Sequence, residues 1–276
     1  MTHTFRAAML LIALSMVPAA AHAGWVTTWT NTAVKQNGDR MDPQNASMAI
    51  SDGRVRLEQP EVVTVIDYNS NRYTLMNPVK HYFWTGTIDE YQREMGRARA
   101  IKMREQYAEL GKKGKDLPKT DEYKVPTIDP AKLPPLSISK TGLTEKIAGY
   151  DTEEYEIKAD GVLFQEIWVA PTMDVSGDLD PSRYLAMQRK MSAAMMGKSA
   201  GQYNALYLND EYRKLIEKAF VLKIVTHHIA GSYERSATSV SQAEVPATQF
   251  EVPEAYRKVR LSDLLSEPPK PGAKPN

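Results

Sequence analysis

The chain of 276 residues has no cysteine. That removes disulfides, thiolate metal sites and thiol nucleophiles together. Histidine is scarce, with five in all, and His3 and His22 fall at the very start. No Gly-rich phosphate loop, G-x-S-x-G elbow or H-E-x-x-H pair occurs. An excess of one charge is missing too, since 35 Lys and Arg stand against 34 Asp and Glu. A nucleic-acid partner calls for a basic excess or stripe, so none is expected. With no nucleophile, base or metal set standing out, the chain reads as a non-enzyme without a cofactor.

Long apolar runs are also lacking, with one exception. The opening "MTHTFRAAMLLIALSMVPAAAHA" carries Arg6, an apolar run from Ala7 to Ala20, and the small-x-small ending "AHA". This pattern predicts an export signal at 1–23, cleaved after Ala23 to leave Gly24 first. The run falls short of the ~20 residues that span a bilayer, and no cysteine follows that could take a lipid anchor. Removal of Arg6 brings the basic count level with the acidic one. A cysteine-free exported chain points to a bacterial periplasm, where stability must come from a packed core. At about 250 residues the processed chain is long enough for one sizeable core. The Pro-rich ending "EPPKPGAKPN", 267–276, reads as a disordered tail. A single soluble domain over 24–266 is therefore expected.

What is present is period-two alternation broken by turns. "ASMAISDGRVRLEQ" sets Ser51-Asp52-Gly53 between two alternating runs, and "EVVTVIDYNSNRYTLMN" does the same with Asn69-Ser70-Asn71. Both read as hairpins, and together they make an antiparallel meander from Trp25 to Trp84. At Thr87 the pattern changes to a basic amphipathic helix over 87–110, opened by a Thr87–Glu90 capping box. Its apolar face starts with Ile88, Tyr91, Met95 and Ala98. Residues 112–135 carry five prolines and no periodicity, which marks a Pro/Lys-rich loop. Strands resume near 136–148, 151–158 and 162–170, with turns at Gly149-Tyr150 and Ala159-Asp160-Gly161. A helical insertion follows at 181–219, read as helices over about 181–197 and 206–219. Two more strands join at Ala230-Gly231. Helices grouped beside antiparallel strands give an α+β class, and eight or more such strands curl.

Three stretches carry a resemblance. "ISDGRVRLEQPEVVTVIDYNSNRYTLMN" is similar to the strand pairs of the LolA-like superfamily of periplasmic half-barrels. "KTGLTEKIAGYDTEEYEIKADGVLFQEIWVAP" and "ATQFEVPEAYRKV" resemble the central strands and closing segment of an uncharacterised exported branch of it. The resemblance implies a curved antiparallel sheet, an open half-barrel, with helices on its concave face. It also implies a hollow suited to acyl chains of lipid or lipoprotein, and it transfers no catalytic residue. The chain departs from the better-known carriers by opening with a strand and by its segment 181–219.

The candidate site lies in "SRYLAMQRKMSAAMMGKSAG", 182–201. Asp180-Pro181 is a helix start, with Asp as N-cap and Pro in the first position. At ~100° per residue Tyr184, Met187, Met191 and Met195 share one stripe. Burying one Met stabilises by ~1.5–3 kcal/mol, so the stripe must face something. Three readings stay open: ordinary core, a flexible lid over an apolar pocket, or a copper(I) thioether site. Geometry weighs against the last, since Met187 and Met195 sit ~12 Å apart along a helix. His227 and His228 point to opposite faces of a strand, and His81 reads as half-buried beside aromatics. "DVSGDLDP" reads as a helix-entry turn rather than a calcium loop. Asp151, Glu153 and Glu154 read as solvated charge on an edge strand. The cleanest amphipath, 208–219, presents Leu208, Tyr212, Leu215, Ile216 and Ala219 on one face, with Arg213 and Glu217 paired on the other.

The function expected is binding of an apolar ligand, such as an acyl chain, between sheet and helices, with Tyr184, Met187, Met191 and Met195 as its wall. The alternatives are an envelope interaction protein with a filled core, whose helix 87–110 meets a partner protein, and a copper(I)-responsive protein.

Overall fold

A computed structural model describes residues 23–109, 128–193 and 198–265. The bulk of the export signal, most of the loop at 112–135, Met195 and the tail at 267–276 lie outside the described residues.

The alternating N-terminal third folds as six antiparallel strands: β1 Ala23–Lys35, β2 Gln44–Ser51, β3 Arg54–Glu58, β4 Val63–Asp67, β5 Arg72–Asn77 and β6 Tyr82–Thr87. The β2–β3 turn places both Asp52 and Gly53 at positive φ, 50° and 68°. That is the mirror-image turn whose twist matches a two-residue hairpin. Helix α1, Ile88–Glu109, starts where Thr87 and Glu90 cap each other. The Glu90 carboxylate accepts from the Thr87 N–H at 2.6 Å, and Thr87 Oγ1 accepts from the Glu90 N–H at 3.2 Å. Donation from the Thr87 N–H, and then from its hydroxyl, holds the exposed Glu90 carboxyl below the usual carboxylate range. Ile88 is fully buried, and Tyr91 packs on Tyr73 and Trp84 with centroid separations of 4.7 and 5.9 Å.

The second half adds β7 Leu136–Ile147, β8 Tyr150–Ala159, β9 Val162–Ala170, β10 Phe220–His228 and β11 Gly231–Glu244. Strand β11 pairs with β1, so both halves belong to one curved, unclosed twelve-stranded sheet. Its order is β12-β6-β5-β4-β3-β2-β1-β11-β10-β9-β8-β7. Strand β12, Arg257–Lys258, runs parallel to β6 and is the one departure from antiparallel pairing among the described strands. Both free edges are blunted. Strand β12 is two residues long, and β7 is mostly exposed, carries Lys140, Glu145 and Lys146, and bulges at 141–143.

Between β9 and β10 stand α2 Pro181–Ala193, α3 Lys198–Leu208 and α4 Asp210–Ile216. The described residues end on α5, Leu261–Leu265, beyond β12. Asp180 caps α2 through the Ser182 N–H at 2.8 Å. The single helix expected over 206–219 is two elements. Asn209 Oδ1 accepts from the N–H groups of Glu211 and Tyr212, both at 2.9 Å, and so starts a new helix. Leu208, expected on the buried face, precedes that cap and is 38% exposed. The rest of the face holds, with Tyr212 buried and Arg213 paired with Glu217 at 3.4 Å.

Other expectations also need correcting. The β7–β8 turn is Ala148-Gly149, one residue earlier than expected, with φ values of 50° and 91°. Strand β8 lies inside the sheet, so its acids are not edge charges. Glu154 is 5% exposed and accepts from Thr141 Oγ1 at 2.6 Å. Glu153 pairs with Lys140 at 2.9 Å, and Asp151 alone of the three is fully solvated. His81 is exposed at positive φ in the β5–β6 turn, stacked 5.3 Å from Tyr256.

The sheet is covered on both faces. Trp25, Trp29, Ile50, Val55, Tyr73 and Trp84 pack in one cluster with Ile88, Met187 and Leu264 of the helices. Phe164, Ile157 and Ile167 continue that layer under Leu185, Leu206 and Tyr212. On the opposite face Ala49, Val63, Val65 and Met76 are covered by Val245, Phe250, Val252 and Tyr256 of the C-terminal segment.

Candidate functional site

Three stretches of sequence build a cavity of about 150 Å³ between the sheet and the helices. Its floor comes from five neighbouring strands: Trp29 of β1, Met48 and Ile50 of β2, Val55 of β3, Val221 and Ile224 of β10, and Arg235 of β11. Its roof comes from Val175 and Leu179 before α2, Pro181 and Tyr184 of α2, and Tyr212 and Ile216 of α4. Ala219 and Phe220 close the side. Arg235 is the one charged residue among these.

Helix α2 is held from both sides. The Gln92 side-chain amide of α1 donates to the Lys190 carbonyl, and Lys190 Nζ pairs with Asp89 at 2.9 Å. On its other flank Arg189 Nε donates to the Tyr207 carbonyl at 2.6 Å, and Ser192 Oγ bonds Asn204 Oδ1. The four candidate residues separate accordingly. Tyr184 lines the cavity, half-buried, with its ring 6.4 Å from that of Tyr68. Met187, 5% exposed, and half-buried Met191 pack into the large core cluster and are not among the lining residues. Met195 lies outside the described residues.

The electrostatics of the site are those of a dry place. Burial pushes the phenols of Tyr184, Tyr207 and Tyr212 above their ordinary range, so all three stay neutral through the physiological range. Burial also lowers the Arg235 guanidinium, partly offset by the electrostatic influence of Tyr184 and Tyr233. The guanidinium stacks on Trp29, with Cζ 4.4 Å from the ring centroid. Its Nε is buried without a hydrogen-bond partner, as are Trp29 Nε1 and Asn31 Oδ1, and Asn31 stands opposite Arg235 in the β1–β11 register. Among the described residues no carboxylate pairs with Arg235.

Sequence reasoning passed over Arg235. The signal was present, since Arg235 shares strand parity with Ala237, and a small apolar residue in a polar strand marks the inward side. Trp29 was likewise read as strand alone. The histidines stay apart: His227 Nε2 bonds Glu166 Oε2 at 2.7 Å and His228 is exposed. No group of three or more His, Asp or Glu suited to a metal occurs among the described residues.

Residues 130–256, just under half of the chain, match the sequence profile of a family described as a domain of unknown function, DUF4412. That span holds Tyr184, Tyr212 and Arg235, whereas Trp29, Met48, Ile50 and Val55 lie ahead of it. No curated protein matches the chain. Among solved structures, PNGF-II in its P21 crystal form overlays 86% of this chain at TM-score 0.37 and 11% identity. The chain spans 31% of that protein. A chain of the MucA/MucB complex of Pseudomonas aeruginosa overlays 87% of this one at TM-score 0.36 and 9% identity, and 59% of that chain is covered. Overlaps this loose say nothing about ligand or partner. Among the described residues no helix is long and apolar enough to cross a membrane.

Proposed function

We propose that the protein is a non-catalytic, LolA-like binding protein of the bacterial periplasm, and that its cavity receives the apolar part of a small ligand. In this reading the helices occupy the hollow side of the bent sheet. Tyr184 is a wall residue, and Met187 and Met191 are the soft packing behind it that lets α2 adjust. The supporting observation is the cavity itself, whose lining is apolar apart from Arg235 and the phenols of Tyr184 and Tyr212. Packed interiors leave few voids larger than a water molecule. A space of about 150 Å³ lined mainly by aliphatic and aromatic side chains is large enough to admit a benzene-sized guest. Size therefore sharpens the expectation drawn from the family resemblance. The space holds one ring or the end of one alkyl chain, and the several chains of a lipoprotein would require the helices to move.

Native mass spectrometry of protein purified gently from a periplasmic extract tests this reading. The expected result is a bound mass that is lost on denaturation, and an unfolded and refolded sample that lacks it. A single ligand-free mass, together with failure of hexanoate, 1-hexanol and benzene to bind the refolded protein, would overturn the reading.

A further inference from the structure

The cavity has one feature that an apolar pocket does not need. Arg235 brings a guanidinium to its wall, half-buried, stacked on Trp29, with Nε buried and unpartnered. A half-buried charge without a counter-charge loses part of its hydration with nothing to replace it. Elsewhere a counter-charge stands nearby. Arg54 has the same arrangement on the opposite face, with Nε likewise buried without a hydrogen-bond partner and Cζ 4.6 Å from the Phe250 ring centroid. Yet Arg54 keeps Asp52 at 3.6 Å, and the next cation along its strand, Arg56, pairs with Glu58. Arg235 has no such neighbour among the described residues, and a phenol and an amide stand in place of a carboxylate. Tyr184 lies within electrostatic reach, and Asn31 lies directly across the strand pair.

We propose that Arg235 is the anion-binding residue of the cavity, and that the ligand is a small carboxylate amphiphile whose tail enters the apolar space while its carboxylate meets the guanidinium. This rests on the reading of the cavity as a ligand site. The planar fork of Arg matches the two carboxylate oxygens, and such paired bonds are about twice as strong as neutral ones. Stacking on Trp29 fixes the fork's plane in advance, which reduces the ordering cost of binding. The Tyr184 hydroxyl, held neutral by its surroundings, supplies a donor to the same oxygens. The simpler alternative is an arginine whose stem covers Trp29 while its head reaches water, with no anion involved.

Calorimetric titration of the purified protein with sodium hexanoate, 1-hexanol and hexylammonium chloride separates these cases. Hexanoate should bind at least about tenfold more tightly than 1-hexanol, and hexylammonium should bind more weakly than either. In Arg235→Gln the hexanoate affinity should fall to that of 1-hexanol measured on the same variant. Arg235→Lys, which keeps the charge and loses the fork, should retain a preference of roughly threefold, and it serves if the Gln variant fails to fold. Equal binding of hexanoate and 1-hexanol by the parent protein would overturn the anion assignment and leave the apolar site standing. No binding of any of the three would overturn both.

Discussion

The two faces of the sheet meet the same problem differently. Each buries an arginine guanidinium against an aromatic ring, Arg235 on Trp29 and Arg54 on Phe250. On the C-terminal side the apolar surface is closed by a short extended cover, and the arginine is neutralised by Asp52. On the helix side the cover is made of helices bearing a concentration of tyrosines, and it leaves an open space and a charge with no counter-charge among the described residues. The two faces therefore differ in a space left open and in a counter-charge present on one side and absent, among the described residues, on the other.

The largest difference should appear in alkali. Tyr68 and Tyr73 of the sheet side and Tyr184, Tyr207 and Tyr212 of the helices are all shielded between the two layers, and burial raises the pKa of each. A phenol whose folded pKa lies above its unfolded value binds its proton more tightly in the native state. Its contribution is therefore fully present below the unfolded value of about 10 and is lost as pH climbs through the folded value. Stability should be flat up to about pH 10 and then fall steeply. Phenolate absorbance from these tyrosines should rise together with loss of circular dichroism. A gradual phenolate rise with the fold intact would show that the helix face is open.

Next come truncations of matched aromatics. Phe250→Ala on the filled face should cost about 3–5 kcal/mol in denaturant unfolding. Phe220→Ala should cost about half of that, because its ring is only half-buried and borders the cavity. Equal costs would mean that the void collapses in solution. Enlargement reverses the order. Ala49→Leu should destabilise by about 1–3 kcal/mol through overpacking, whereas Ala219→Leu, at the cavity wall, should be neutral or gain up to about 1 kcal/mol while blocking hexanoate. The smallest effect should carry the clearest sign. Arg235→Met should stabilise by up to about 1 kcal/mol, because it removes a half-buried charge that has no counter-charge among the described residues. Arg54→Met should lose a few tenths of a kcal/mol with its partly exposed ion pair. Losses in both would show Arg235 already satisfied.

Local devices were legible in the sequence, since each is decided within a few residues. The Asp52-Gly53 turn, the Thr87–Glu90 box and the Asp180 cap stand where spacing placed them. Asn209 was missed because an apolar stripe continues across it, and periodicity does not see a cap inside a stripe. The sheet's order was harder. Alternation reports that a strand has two unlike sides, not which strand lies beside it, so Glu154 passed for an edge charge when its strand is interior. The second covered face was hidden for the same reason. Residues 245–256 look like a closing segment, and nothing local says that Phe250 shields Val63 and Val65. For the site, Met187 and Met191 of the expected stripe pack into the core cluster rather than line the cavity. The cavity wall is assembled from β1, β2, β3, β10 and β11, whose meeting is a property of topology.

Methyl resonances of methionine offer the most direct test of the central claim, because one methionine reports on each face. Met48 lines the cavity, and Met76 is buried on the filled side of the same sheet. In a hexanoate titration the Met48 methyl should shift saturably while Met76 stays still. Equal movement of both, or of neither, would contradict the account.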